Sequence, residues 1–315
     1  MDGRWKDILS DIRRRGFVAA GVTGSAVPEE GIRRMGEWIR SGRHGFLNYM
    51  EESEPLRSQL RRWIPWARSV VCTALPYGVR RDESRLWTDR GRLWVSRYAW
   101  GRDYHRVARS LLRPVVRRLE AEGVRCRICV DSAPLLERAY AARAGLGFIG
   151  RNGLLIHPRY GSYLFLAEIV TDRAPPEESV RAAGGCGDCT SCIDACPSGA
   201  LLASGLLDAG RCLSAWTVEG RRASRGSDPE RHGQLFGCDR CQEVCPFNRS
   251  APRAGLADFE PRDPWFAPEP EIILSMDEKN WDAATRGSAI RRIGYEGLLH
   301  NARAAIGGVR HGETR

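Results

Sequence analysis

Apolar residues recur at helical spacing in three stretches of the first half of the chain. Over 28–40, Ile32, Met35, Gly36 and Ile39 share one face after Pro28, which predicts an amphipathic helix. Over 103–122, Val107, Leu111, Leu112, Val115, Val116 and Leu119 do the same. That helix is expected to bend at Pro114, where the ring removes an N–H and crowds the preceding turn. Residues 134–144 predict a third helix, opened by Pro134 and closed by Gly145 and Gly147. Between them lie short apolar runs suited to buried strands: 69–75, closed by Pro76, and 125–130. Residues 154–156 and 163–170 are two more, with no helical segment between them, so they are expected to pair as a hairpin. The alternation predicts an α/β domain over 1–173.

Beyond that point the pattern changes. Ala174-Pro175-Pro176-Glu177-Glu178 through Gly184-Gly185 reads as a linker into a cysteine-rich module, together covering 174–252. A polar, Arg- and Gly-rich stretch follows Trp216 and separates the two cysteine runs. Residues 253–315 read as a Pro-rich segment and a short helical tail, with helical spacing over 281–284 and 290–306. No run approaches the roughly 18 apolar residues that a membrane span needs, so no membrane partner is expected.

The cysteines carry the chemistry. One run is Cys186-Gly-Asp-Cys189-Thr-Ser-Cys192-Ile-Asp-Ala-Cys196-Pro197 and a second is Cys238-Asp-Arg-Cys241-Gln-Glu-Val-Cys245-Pro246. The spacing C-x2-C-x2-C-x3-C-P is that of bacterial ferredoxins, where three thiolates hold one [4Fe–4S] cluster and the cysteine before proline ligates the other. By that logic Cys186, Cys189, Cys192 and Cys245 form one set. Cys196, Cys238 and Cys241 form the second, and Cys212, the remaining cysteine of the region, completes it. Zinc fits the long Cys-Pro-terminated run poorly. Disulfides need an oxidising compartment, and Met1-Asp2-Gly3-Arg4-Trp5-Lys6 opens no apolar signal run, so a cytoplasmic location is expected. Cys126 and Cys129 mimic a metal knuckle but fall in a predicted strand. They and Cys72 are expected to be buried structural thiols.

The net charge of +10 and pI near 9.3 come almost entirely from arginine, Lys6 and Lys279 being the lysines. A basic surface suits an anionic partner such as nucleic acid; a GC-rich genome would give the same arginine bias with no such partner. Arg13-Arg14-Arg15, Arg61-Arg62 and Arg221-Arg222 read individually as solvated faces. Gly145-Leu-Gly-Phe-Ile-Gly150 has dinucleotide-loop spacing but follows a helix and precedes a strand, the reverse of the required order. It reads as a turn with close backbone approach.

Five motifs together resemble one family: Tyr98-Ala-Trp-Gly-Arg-Asp-Tyr-His105, Val130-Asp-Ser-Ala-Pro-Leu-Leu-Glu-Arg138, Ala141-Ala-Arg-Ala-Gly-Leu-Gly-Phe-Ile-Gly-Arg-Asn152, Gly161-Ser-Tyr163 and Gly237-Cys-Asp-Arg-Cys-Gln-Glu-Val-Cys-Pro-Phe-Asn248. They resemble epoxyqueuosine reductase, from about residue 5 to about 307. Gly287-Ser-Ala-Ile-Arg-Arg-Ile-Gly294 with His300-Asn301 resembles the start of the family's helical tail, which longer members extend into HEAT-like repeats. The resemblance implies a cobalamin-dependent oxidoreductase with two [4Fe–4S] clusters that completes queuosine in the tRNA anticodon loop. It implies Cys212 as a cluster ligand, tRNA and an external electron donor as partners, and a monomer.

The same resemblance implies cobalamin contacts from Arg57, Asp131, Asn152, Leu155, Leu166, Ser214 and Asp239. Leu155 and Leu166 also fit an ordinary core. Asp103-Tyr-His105 begins like D-x-H-x-x-G, but Ala108 stands in the glycine position, so histidine ligation of cobalt is not expected. Asp131 is implied as the proton donor, a buried carboxylic acid with raised pKa; by residue type alone an N-cap for the helix at Pro134 is favoured. Two other functions use parts of the pattern. A reductive dehalogenase would share cofactor and clusters, yet the apolar run after Arg13-Arg14-Arg15 is too short for a twin-arginine signal. A ferredoxin-type carrier would leave 1–173 without a task.

Overall fold

Residues 3–78, 83–176, 184–220, 229–253 and 255–309 are described in a computed structural model. Arg221-Arg222 and part of the expected linker lie outside them. The strands in chain order are β1 (Ala19–Gly24), β2 (Ser69–Pro76), β3 (Trp94–Val95), β4 (Cys126–Cys129), β5 (Phe148–Ile149), β6 (Leu155–Ile156), β7 (Leu164–Thr171) and β8 (Gln234–Phe236). The main sheet has the order β1-β2-β7-β4 and is antiparallel throughout. Every residue of β2 is buried, which explains its unbroken apolar run: a central strand covered on both faces has no polar alternation to show.

Helices cover both faces. The helices Gly3–Arg14 and Tyr104–Ala121 pack on one face against Val71, Leu75, Phe165, Ala167 and Ile169. On the other, the helix Glu137–Arg143 and the segment with Leu60 and Ile64 pack on Val70, Cys72, Ala74 and Val170. The predicted helix over 28–40 is observed as Glu29–Arg40. The one over 103–122 is observed as Tyr104–Ala121, continuous through Pro114 and capped by Asp103, which accepts the His105 N–H. Cys126 and Cys129 fall on opposite faces of β4, one beside each core, because a spacing of three inverts the side in a strand. They share no metal, and burial pushes both thiols up to about 12.

Two expectations change. The expected hairpin of 154–156 with 163–170 does not form. β6 pairs with β5, while β7 inserts between β2 and β4. Glycine makes the small hairpin possible: a Cβ on Gly147 would lie 2.2 Å from the Ile156 carbonyl oxygen. The turn with close backbone approach expected over 145–150 is therefore present. The third helix starts at Glu137 rather than Pro134, because 131–135 is occupied by short turns, Ser132 N–H to Val130 O and Leu135 N–H to Ala133 O.

A second core joins segments far apart in sequence. Leu93, Trp94, Val95 and Trp100 pack with Leu235 and Phe236, and with Trp265, Ile273, Ile290 and Leu298 of the tail. β3 and β8 pair in parallel, and Asn301 Nδ2 donates to the carbonyls of Thr217 (2.7 Å) and Leu235 (3.0 Å). The tail is thus built into the cysteine module. No helix among the described residues is long and apolar enough to cross a membrane.

Candidate functional site

The seven cysteines of the two runs and Cys212 influence one another electrostatically. Burial pushes the Cys192 thiol up, and Cys186, Cys245 and Cys189 around it push the same way. Cys241 is raised by burial and by Cys238, Cys212 and Cys192, and Cys212 by burial with Cys196 beside it. These influences are in keeping with the expected sets 186/189/192/245 and 196/212/238/241, and Cys241 also feels Cys192 of the other set. Among the described residues no three His, Cys, Asp or Glu side chains converge as on a single metal ion. A cubane asks for something else, since each of its thiolates binds a different iron.

Backbone N–H groups already point at the sulfurs. Arg151 donates to Cys186 Sγ at 3.4 Å and Ala200 to Cys196 Sγ at 3.2 Å. The N–H groups of Ala215 and Ser214 serve Cys212, and those of Phe247 and Asn248 serve Cys245. Such bonds tune the potential of an iron–sulfur cluster. Two expected cofactor residues thus neighbour the sulfurs, Ser214 directly and Asn152 beside Arg151.

Asp239 is fully buried, and its carboxylate is committed to protein. It accepts from Trp94 Nε1 (3.0 Å), Ser96 Oγ (2.6 Å), Arg97 N (2.9 Å) and Arg97 Nη1 (3.1 Å). Arg97, only 2% exposed, also pairs with Glu243 at 3.0 Å. Burial opposes the Arg97 charge, but Tyr163, Asp239 and Glu243 outweigh it and raise its pKa. This network fastens the second cysteine run to β3, and the Asp239 carbonyl is likewise taken, by the N–H groups of Gln242 and Glu243 (both 2.9 Å).

Asp131 lies two residues beyond β4. It does not cap a helix: the N-cap of Glu137–Arg143 is Leu136, with no side-chain hydrogen bond. Its side chain is 53% exposed and meets His105 Nε2 at 3.3 Å, while His105 Nδ1 meets Asp103 Oδ1 at 2.8 Å. Tyr104 stacks flat on Phe165 with centroids 4.3 Å apart and hydrogen-bonds Asp131. Crowding by protein raises the Asp131 pKa, but the His105 and Tyr104 hydrogen bonds and the charges of His105 and Arg292 outweigh it, and the net shift is downward. The expected raised pKa is therefore corrected. The acid of the group is His105: burial opposes its charge, yet the bonds to Asp103 and Asp131 lift it from 6.5 to about 9.

Arg57 donates from Nη1 to the Leu135 carbonyl (3.2 Å) and from Nε to Ser53 Oγ (2.8 Å), so it braces the Asp131 loop. Asn152 is buried. Its Oδ1 accepts the Leu154 N–H (3.2 Å), while its Nδ2 has no protein partner among the described residues; a buried amide donor left so is normally satisfied by a ligand or water. Leu155 is buried in the core beside the helix Glu137–Arg143 and Leu166 is partly buried there. A cavity of about 350 Å³ opens elsewhere, lined by Arg97, Tyr160, Tyr163 and Arg249. None of Asp131, Asn152 and Ser214 lines it, so it is not this site.

Sequence reasoning did not single out Tyr104, Glu137 or Arg292, and weighed His105 only as a cobalt ligand. All four stand inside the motifs quoted above, so the signal was present. Arg292 reaches the site from the tail, in an ion pair with Glu219.

Ferredoxin-type cysteine runs in one chain with an Asp–His–Asp chain fit the class of iron–sulfur oxidoreductases. Residues 185–248 match the family model "4Fe-4S double cluster binding domain", and 57–132 match "Epoxyqueuosine reductase QueG, DUF1730". An epoxyqueuosine reductase of Gloeobacter violaceus is 38% identical over 309 residues, covering 95% of each chain. That of Escherichia coli is 34% identical, over 95% of this chain and 79% of its own. Two solved structures superpose over 98% of this chain and 82% of their own. One, 29% identical with a TM-score of 0.85, is an epoxyqueuosine reductase with an epoxyqueuosine-modified tRNA-Tyr stem loop. The other, from Bacillus subtilis (29%, TM-score 0.83), has its catalytic aspartate loop swung out of the active site. This chain belongs to the epoxyqueuosine reductase family.

Proposed function

We propose that the protein reduces epoxyqueuosine to queuosine within a tRNA anticodon loop, with cobalamin as cofactor and Asp131 as the proton donor. The reaction consumes two electrons and two protons, breaks both epoxide C–O bonds, forms a C=C bond and releases the oxygen as water. Bound cobalamin, reduced through the clusters, supplies the electrons. Asn152 Nδ2 is a buried donor suited to a corrin amide, Arg57 is placed for an anionic or amide arm, and Ser214 adds a polar contact beside the sulfurs of the second set. Leu155 and Leu166 would offer apolar neighbours, whereas the carboxylate and carbonyl of Asp239 are already engaged by protein.

The observation that carries the proton role is the chain Asp103–His105–Asp131, with contacts of 2.8 and 3.3 Å. The departing oxygen leaves as water only when protonated. Asp131 presents the proton, and the imidazolium of His105, held in orientation by Asp103, replaces it. We place Asp131 in the role of the catalytic aspartate of the Bacillus subtilis structure, whose loop moves. The test is conversion of an epoxyqueuosine-bearing stem loop, followed as loss of one oxygen by mass spectrometry. Turnover needing both clusters and cobalamin supports the reading, and equal turnover without cobalamin overturns the cofactor.

The pH profile should carry the mark of His105. Its folded pKa, about 9, lies above the ordinary 6.5. The stability it contributes is therefore complete below pH 6.5 and is lost as pH rises through 9. Turnover should likewise hold through neutral pH and fall above about 9. In His105→Gln that high-pH limb should disappear at a lower overall rate; an unchanged limb assigns it to another group.

RNA binding should follow salt. If arginines neutralise anticodon-arm phosphates, the logarithm of affinity falls linearly with that of salt, by roughly 0.7–0.9 per phosphate contacted. The target base must also leave the stack to reach Asp131. Filter binding at several salt concentrations measures the slope; salt-independent binding would reject an arginine-lined RNA surface.

A further inference from the structure

Asp131 sits in a backbone conformation that an aspartate seldom adopts. Its φ is +55°, in the left-handed region, where the Cβ of an L-residue is crowded. The strand ladder does not impose it, since β4 ends at Cys129. Nor do the two short turns over 130–135, which use other N–H groups. The Asp131 N–H instead donates to Oε1 of Glu137, six residues on, at 2.6 Å.

Glu137 is held in turn by Glu168. The Glu168 side chain, fully buried on β7 opposite Cys129, lies under the helix Glu137–Arg143. Neither of its oxygens meets a donor among the described residues, so as a carboxylate it would be unsatisfied. Protonated, it would be a donor to Glu137, the carboxyl whose charge acts on it most strongly. Burial and the neighbouring Glu137 charge raise its pKa well above the ordinary carboxyl value, which keeps that proton in place. Two carboxyls this close in a buried place cannot both ionise. The shared proton turns one Glu137 oxygen toward Glu168 and leaves the other for Asp131.

We propose that Glu137 is the positioning residue of this active site: by accepting the Asp131 N–H it holds the aspartate in its left-handed conformation, with the carboxylate against His105. Glu168 is the buried brace that orients it. The inference rests on Asp131 being the proton donor. Loss of the Glu137 acceptor frees the 131–135 loop, and the carboxyl leaves His105 although no group that touches substrate has changed.

The test uses the protein loaded with both clusters and cobalamin. Glu137→Leu keeps side-chain bulk and removes the acceptor; Glu137→Gln keeps an acceptor oxygen at the same reach. The leucine variant should show faster deuterium exchange in the peptide carrying Asp131 and an unchanged KM. Its kcat should fall on the order of 10²-fold, as for a reacting group displaced by about 1 Å. Glutamine should restore both the exchange rate and kcat. If the leucine variant loses its clusters, Glu137→Asp, which keeps the charge but shortens the reach, should give the same two effects. Wild-type exchange in both the leucine and the aspartate variant overturns the proposal. So does a kcat loss in Glu137→Leu that recurs in full on an Asp131→Asn background, because Glu137 would then not act through Asp131. If Asp131→Asn alone keeps its turnover, the donor role fails, and the exchange rates still decide whether Glu137 holds the loop.

Discussion

Asp131→Asn should leave fold, cluster content and cobalamin binding intact and lower turnover by about 10²–10⁴-fold, the range for a lost general acid. The side chain is half exposed and caps no helix, so neither packing nor a helix terminus depends on its charge. Asparagine has the same length and offers His105 an amide oxygen, but it cannot surrender a proton as an acid. Loss of the charge should also lower the His105 pKa, because Asp131 is one of the two carboxylates that raise it. Asp103 remains, so part of the shift should survive. Imidazole titration by NMR and single-turnover rates on the modified stem loop measure the two effects together. Near-normal turnover would remove Asp131 from the chemistry.

Cys212→Ala should remove one cluster and abolish turnover while the other cluster stays. Cys212 stands at the N-cap of the helix Leu213–Glu219 and neighbours Cys196 and Cys238. It belongs to the set distinct from Cys186, Cys189, Cys192 and Cys245. Iron should fall to about half if each cubane assembles independently, and one reduced-cluster signal should persist in low-temperature electron paramagnetic resonance. Full iron in the variant would make Cys212 a bystander; complete loss would mean that the sets assemble only together. The electrostatic influence of Cys192 on Cys241 marks where such a dependence would arise.

The cysteine chemistry was legible because ligand spacing is local. Each C-x2-C turn places its own sulfurs, and only the exchange of the cysteine before each proline and the addition of Cys212 needed reasoning over distance. The helices over 28–40 and 103–122 were legible for a similar reason, since their apolar faces repeat within the chain. What failed was pairing. The residues of β7 read as a strand in any context. Which neighbours it takes depends on the sheet, and only the folded chain shows it between β2 and β4 while β5 and β6 close a hairpin of their own.

The site divides along the same line. Asp131 stood out by family resemblance, while its residue type alone favoured an N-cap, which the start of the helix at Glu137 excludes. Its ionisation could not be read from the chain, because His105, Tyr104 and Arg292 reach it from other elements and reverse the effect of burial. Glu137 and Glu168 are thirty-one positions apart and ordinary as letters; β7 and the helix over it make them a pair. Spacing along the chain therefore determined the double-cluster domain and the apolar faces, which depend on local geometry. Tertiary structure alone decided strand order, the protonation of the site and the hold on its aspartate, because each arises between segments that meet only when the chain is folded.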